Sequence, residues 1–316
     1  MFLPPDYNKF FDNKIVFIIG VARSGTTIIG KIIGSFSDTH YSYEPSSCKF
    51  ILPLIQKKHL DYEQGSILFK AVLFEDFFLQ TLHGRNVNFN KRDDSYIGNY
   101  SDIEEVKSRW EKYKRRIDVV NDLEKNNYNF VIKIPDIQPN LDLINEMFDN
   151  VKFIHIIRDG NDVISSSIRR DFYSEDFLNN RSSNWGDKYN DLKIPWFIDK
   201  KEFENFYKWN RHTRIAYIWR TLTEKGLEFT KKNPKSVIEF KLEDFIQKPE
   251  SYVEKLEKFV GEIRTKITQR HIASIKSHKN FKYADVTKLL ESPEKEKYIE
   301  FREKLVYNTP ILTSKN

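Results

Sequence analysis

The stretch Ile15-Val-Phe-Ile-Ile-Gly20-Val-Ala-Arg23-Ser24-Gly25-Thr26-Thr27 decides the fold. Five apolar residues, mostly β-branched or aromatic, run without a polar interruption. That predicts a strand buried on both faces of a parallel sheet. A glycine-bounded turn follows, and then Ile28, Ile29, Ile32, Ile33 and Phe36 recur at helical spacing. Such a turn leaves backbone N–H groups pointing into a concavity, to which the helix N-terminus adds unpaired donors and a partial positive charge. It is built to hold a phosphate or a sulfate. Arg23, Ser24, Thr26 and Thr27 add a cation and three hydroxyls, more than a tight structural turn needs. A nucleotide kinase or GTPase would carry GxxxxGK[ST], with its Lys directly after the second glycine. Here that position is Thr26, and the cation sits inside the turn at Arg23.

Three further runs, residues 130–134, 153–157 and 237–240, are likewise short and apolar on nearly every residue. Helical patterns lie between them, as in Leu141, Ile144 and Phe148. Strand and helix alternate, so the fold class is α/β, with a mostly parallel sheet flanked by helices. Two regions break the rhythm. Residues 84–99 are polar and loop-like and open an excursion reaching about residue 127; residues 172–200 set Trp185, Tyr189, Pro195, Trp196 and Phe197 among Asn, Asp and Ser. Both read as excursions from one domain spanning residues 1–316, placed to shape a substrate site.

Of the 316 residues 39% are hydrophobic and 15% aromatic, which excludes a disordered chain. Lys and Arg total 52 against 46 Asp and Glu, and the net +6 suits an anionic ligand. The basic residues are spread rather than gathered in a stripe, so nucleic acid is not the expected partner. Cys48 is the single cysteine, which fits a reducing compartment. The opening MFLPPDYNKFFDNK lacks the pattern of a signal peptide. No run approaches the ~20 apolar residues of a membrane span. The expectation is a cytoplasmic protein without stable membrane insertion.

A second motif ends the run at 153–157: Phe153-Ile-His-Ile-Ile-Arg158-Asp159-Gly160, continued by a helical segment with Ser165, Ser166, Ser167, Arg169 and Arg170. Ligands of open parallel sheets gather at the carboxyl ends of strands, so Arg158 falls on the same edge as the phosphate turn. Ser166 and Arg170 are one helical turn apart and can share a face. A solvated helix end with incidental basic residues is the plain alternative for this motif alone.

Together the motifs resemble those of the sulfotransferases that use 3′-phosphoadenosine 5′-phosphosulfate (PAPS). GVARSGTT is similar to their 5′-phosphosulfate loop, commonly PRSGTT or PKSGTT, with Ala22 where proline is usual. RDGNDVISSSIRR resembles their 3′-phosphate motif, in the form most like tyrosylprotein sulfotransferases. The resemblance implies a P-loop-NTPase-like sulfotransferase fold. It implies PAPS as co-substrate, held by Arg23, Ser24, Gly25, Thr26 and Thr27, with Arg158, Ser166 and Arg170 on the 3′-phosphate. The activity implied is sulfuryl transfer to a hydroxyl of a carbohydrate, a tyrosine or phenol, or a small metabolite, with release of 3′-phosphoadenosine 5′-phosphate (PAP).

That chemistry needs a base for the acceptor's proton and cations for the charge that builds on the transferring oxygens. The leaving group is already a stable anion, so no metal is required. The sequence agrees, with seven scattered His and no HxxxH, CxxC or DxD. For the base the resemblance points to Glu44, within His40-Tyr-Ser-Tyr-Glu44-Pro45, since the family often places a catalytic Glu at this distance; His40 is the rival. Lys133 is the second catalytic cation beside Arg23. A lysine inside an apolar strand is costly unless it emerges at an end or finds an anion. The family has Lys-(Thr/Asp)-Pro there, whereas this chain has Lys133-Ile134-Pro135.

Farther on, residues 236–249 resemble the family's "RYEDL…P" segment, with Leu242 in place of a tyrosine that can touch the nucleotide. Ser277, Lys279 and Lys282 suit either a loop closing over the nucleotide or a lysine-rich surface. The resemblance covers roughly residues 14–48 and 128–262. Trp185, Tyr189, Trp196 and Phe197 suit either a stacking wall for the acceptor or a local hydrophobic cluster. Two other functions stay open: a P-loop kinase acting on a small molecule, and a PAPS or nucleotide binder without catalysis.

Overall fold

The computed structural model describes residue 11 and residues 15–85, 87–181, 185–276 and 285–307. Its strands are β1 (Ile15–Gly20), β2 (Thr39–Tyr43), β3 (Asn129–Lys133), β4 (Lys152–Ile157), β5 (Gly186–Tyr189), β6 (Leu192–Pro195) and β7 (Val237–Lys241). Five of them form one sheet in the order β2-β3-β1-β4-β7, and every neighbouring pair is parallel. The expected α/β class with a parallel sheet is the fold observed. β5 and β6 form a separate antiparallel hairpin within the excursion at 172–200.

The central strand explains why its sequence is so uniformly apolar. All six residues of β1 are buried. Ile15, Phe17 and Ile19 enter one core with Phe130 and Phe153, while Val16 and Ile18 enter the opposite core with Val131 and Ile154. The edge strands read differently because one side of each is only partly covered. β2 is Thr-His-Tyr-Ser-Tyr and β7 is Val-Ile-Glu-Phe-Lys.

Helix α1 (Thr26–Ile33) seats Ile29, Ile32 and Ile33 in the second core, as the helical spacing predicts. The labelled helices after it are α2 (Ser46–Gln56), α3 (Gly160–Arg169), α4 (Arg211–Lys232) and α5 (Glu294–Lys304). A third core surrounds α4 and includes Trp219, Tyr298, Phe301 and the hairpin residues Leu192 and Ile194. From β1 the chain moves outward to β2, whereas from β3 it crosses β1 to reach β4. That reversal opens a crevice at the carboxyl ends of β1 and β3, where such sheets bind ligands. Among the described residues no helix is long and apolar enough to cross a membrane.

Candidate active site

The phosphate turn is closed by Ser24 N–H donating to the Val21 carbonyl at 3.0 Å. Arg23 and Gly25 take left-handed backbone conformations, with φ of 74° and 90°. At Gly25 a Cβ would also lie 2.6 Å from Leu242 Cδ1, so any side chain there would have to displace that leucine. Arg23 has no such licence and bears the strain, as residues at working sites often do. α1 begins at Thr26, so the unpaired amides of its first turn open at the end of this bend. Ser24 and Thr26 are buried.

The second motif meets this turn directly. Arg23 Nε donates to Ser166 Oγ on α3 at 3.0 Å. Arg158, just beyond the end of β4, donates from Nη1 to the Arg23 carbonyl at 3.0 Å and from Nη2 to Asp162 at 3.0 Å. Arg170 follows the end of α3, its side chain exposed. Burial, together with the guanidinium groups of Arg170 and Arg158, lowers the pKa of Arg23. Three like charges held this close favour an anion among them. The structure therefore brings Arg23, Ser166, Arg158 and Arg170 to one place.

On the other side of the turn, Lys133 ends β3 and is buried, forming an ion pair with Glu44. The lysine also lies over the Tyr43 ring, 4.3 Å from its centroid. Lys133 thus emerges at a strand end and also finds an anion. Glu44 has φ 51°, and its N–H donates to the Lys133 carbonyl at 2.9 Å. Its second oxygen accepts from Lys49 Nζ of α2 at 2.8 Å. Burial pushes the Glu44 carboxyl up, but Lys133 and Lys49 outweigh it and hold its pKa below the usual glutamate value. Burial lowers Lys133 despite its glutamate partner. The carboxylate is therefore ionised across the neutral range. His40 is elsewhere, paired with Phe130 near the start of β2 and stacked on that ring at 5.9 Å.

Three residues beside these carry no motif. Asp136 follows β3 and accepts at Oδ1 from Ala22 N–H at 2.8 Å and at Oδ2 from Tyr173 OH at 3.3 Å. Burial lifts its carboxyl to about 6. Lys49 and Tyr43 also lie outside any recognisable pattern. The one signal available was proximity in sequence to Glu44 and Lys133, which cannot tell an inward side chain from an outward one.

Arg23, Gly25, Thr26, Thr27, Tyr43, Glu44, Lys49, Lys133, Asp136 and Arg158 line one cleft of about 610 Å³, which also receives Lys31, Asp94, Phe172, Trp196 and Phe197; Ser24, Ser166 and Arg170 stand behind its lining. Lys31 and Asp94 pair across it at 2.7 Å, so the polar loop at 84–99 is tied to α1. The four aromatic residues picked from the excursion at 172–200 divide. Trp196 and Phe197 reach the cleft. Trp185 packs edge-on against Phe50, and Tyr189 against Phe203 and Tyr207. Leu242 lies on the turn at Gly25. Asp159, next to Arg158, is buried in a two-bond pair with Arg302 at 2.8 and 2.7 Å. Ser277, Lys279 and Lys282 fall outside the described residues.

Comparison with known proteins matches residues 16–265 to the model of the sulfotransferase family. Among solved structures, the chain is similar to the sulfotransferase domain from the Synechococcus PCC 7002 olefin synthase. The TM-score is 0.52 at 18% identity, covering 98% of this chain and 100% of that one. The sulfotransferase domain from the curacin biosynthetic pathway is similar at TM-score 0.50 and 16% identity, again covering 98% and 100%. At these identities the likeness is one of fold. A search of curated proteins finds no match.

Proposed function

The chain belongs to the sulfotransferase family, and we propose that it transfers the sulfuryl group of PAPS to a hydroxyl of its acceptor and releases PAP. The observation that carries this is the Arg23–Ser166 hydrogen bond at 3.0 Å. It joins the phosphate turn to the second motif and gathers three guanidinium groups where a doubly phosphorylated nucleotide would lie. In this reading the turn and Arg23 hold the 5′-phosphosulfate, while Arg158, Ser166 and Arg170 take the 3′-phosphate. Ser24, Gly25, Thr26 and Thr27 supply the remaining donors, and one domain carries the whole site.

The step is an in-line displacement at sulfur. The acceptor oxygen forms a bond to sulfur as the bond from sulfur to the phosphate oxygen breaks, and the acceptor's proton passes to Glu44. Arg23 and Lys133 balance the charge on the transferring and leaving oxygens. The pairing of Glu44 with two lysines keeps the carboxylate ionised and fixed at the cleft, while lowering its basicity. The two excursions supply the acceptor side, through Asp94 from one and Phe172, Trp196 and Phe197 from the other.

Calorimetry with PAP and AMP tests the donor. Charge-assisted hydrogen bonds contribute about 1.5–3 kcal/mol each, so loss of the 3′-phosphate should cost at least about tenfold in affinity. Equal binding of the two nucleotides would overturn the assignment. A second measurement separates this activity from a kinase's. The proposed step needs no metal, so turnover with PAPS should persist in excess chelator. An absolute Mg²⁺ requirement with ATP as donor would favour the kinase instead.

A further inference from the structure

One bond at the base of the phosphate turn exists only because of the residue type at position 22. The resembling loops carry proline there, and proline has no N–H. In this chain Ala22 has one, and it donates to Asp136 Oδ1 at 2.8 Å. Asp136 is itself held on several sides. Its N–H donates to the Gly20 carbonyl at 3.0 Å, and its other oxygen accepts from Tyr173 OH at 3.3 Å. Its backbone lies at φ 59°, a region a non-glycine residue enters only when its surroundings hold it there. The residue spans the crevice between β1 and β3, three positions after Lys133.

We propose that Asp136 is the positioning residue of the donor loop: through Ala22 N–H its carboxylate supplies the stiffness that a proline would give, and so sets Arg23 and the amides at Gly25–Thr27 for the phosphosulfate. A carboxylate beside an anionic donor is costly, and this one is half-buried at the edge of the cleft. Its two bonds point at the loop and at Tyr173, which gives it a task on the protein rather than on the substrate. Without it, the bend at residues 21–25 keeps Ser24–Val21, Ile29–Gly25 and Arg158–Arg23 as its described backbone ties. None of these holds the Ala22 N–H. The bond also joins the donor turn to the strand end that carries Lys133, so one residue sets the distance between the two halves of the site.

The inference rests on PAPS being the donor, and a compensation experiment keeps the two ideas apart. PAP binding and the KM values for donor and acceptor are measured for the wild type, Asp136→Ala, Asp136→Asn, Ala22→Pro and the double variant Ala22→Pro/Asp136→Ala. Thermal unfolding of each is followed in parallel. Asp136→Ala should weaken PAP binding by about tenfold, the worth of one hydrogen bond to a charged group. It should raise the donor KM while leaving the acceptor KM within about twofold, a split that general loss of fold would not produce. Asn retains an acceptor for the Ala22 amide, so Asp136→Asn should stay within about threefold of wild type. Ala22→Pro alone leaves the half-buried carboxylate with only the Tyr173 hydroxyl as donor and should weaken binding. In the Asp136→Ala background the same proline should restore most of the lost affinity. Asp136→Ala binding PAP as the wild type does, or a double variant no better than Asp136→Ala, overturns the proposal. Failure of the wild type itself to prefer PAP over AMP overturns the functional reading instead.

Discussion

The two ends of the parallel sheet carry clefts of similar size and very different content. The cleft at the carboxyl ends holds about 610 Å³, and the one beside the start of β2 about 660 Å³. The first is lined by Arg23, Lys31, Lys49, Lys133 and Arg158 against Glu44, Asp94 and Asp136. The second balances Arg109, Lys266 and Arg270 against Asp38, Asp102 and Glu105. The excess of cations lies where a helix N-terminus also points, and there three non-glycine residues (Arg23, Glu44 and Asp136) hold left-handed conformations. The second cleft contains His40, whose ring is buried and whose pKa is driven well below the usual histidine value by burial and then by Arg109. Volume does not separate the two ends. Charge excess does, together with the larger number of left-handed non-glycine residues, three there against Asp38 in the second cleft, and both fit the carboxyl end as the proposed site.

The sharpest way to break that comparison is to remove one titratable group from each end. Glu44→Gln keeps the shape but cannot take a proton, so the rate should fall by about 10²–10⁴ while PAP affinity stays within about twofold. His40→Gln at the other end should leave the rate within about threefold in protein that remains folded. Steady-state kinetics with calorimetric PAP binding reads both. A normal rate in Glu44→Gln and a lost one in His40→Gln would exchange the roles of the two ends.

A second contrast runs along the chain. The segments at 15–44 and 129–170 were legible because each joins a continuous apolar strand to residues that a simple helix turn would not need. β1 and β4 were read to within a residue, and the structure sets Glu44 just after β2, Lys133 at the end of β3 and Ser166 on α3. Apart from β7, the C-terminal third was not legible, because its order comes from pairs distant in sequence. Arg302 of α5 reaches Asp159 at the start of α3, and Arg220 of α4 makes two bonds to Glu294 at 2.7 and 2.8 Å. No local pattern in Glu294–Lys304 announces either partner. Asp136 escaped for a similar reason, since nothing in Lys133-Ile-Pro-Asp136 states that Ala22 lies opposite.

If this region is scaffold, breaking its buried pair should unfold the protein without changing the order of the chemistry. Arg302→Met leaves Asp159 as an uncompensated buried charge, for which a loss of about 3–5 kcal/mol is expected in denaturant unfolding. Asp159→Asn in the same chain should recover part of it. An Arg302→Met protein of wild-type stability that no longer binds PAP would place the C-terminal helix in the site rather than beneath it.

The smallest expected effect tests whether the carboxyl end carries its charges at a cost. Burial raises the Asp136 carboxyl from the ordinary aspartate value of 3.8 to about 6 in the folded protein. A folded-state pKa above the unfolded one means that the protonated form is the stabilised one. The contribution of Asp136 to stability is therefore fully present below pH 3.8 and is lost as pH rises through about 6. At neutral pH the ionised carboxylate costs about 2–3 kcal/mol, from the 1.36 kcal/mol that each pKa unit represents. Asp136→Asn removes the charge and keeps an acceptor for Ala22 N–H, so it should be the more stable protein at pH 7.5. The gap should close as pH falls from 7 to 4, where the wild-type carboxyl is also neutral. Taking the difference between the two proteins at each pH cancels the other carboxylates that titrate in the same window. Unfolding curves that keep a constant gap from pH 7.5 to 4 would show that this carboxylate is not held at a cost, and would leave only its backbone conformation to set Asp136 apart.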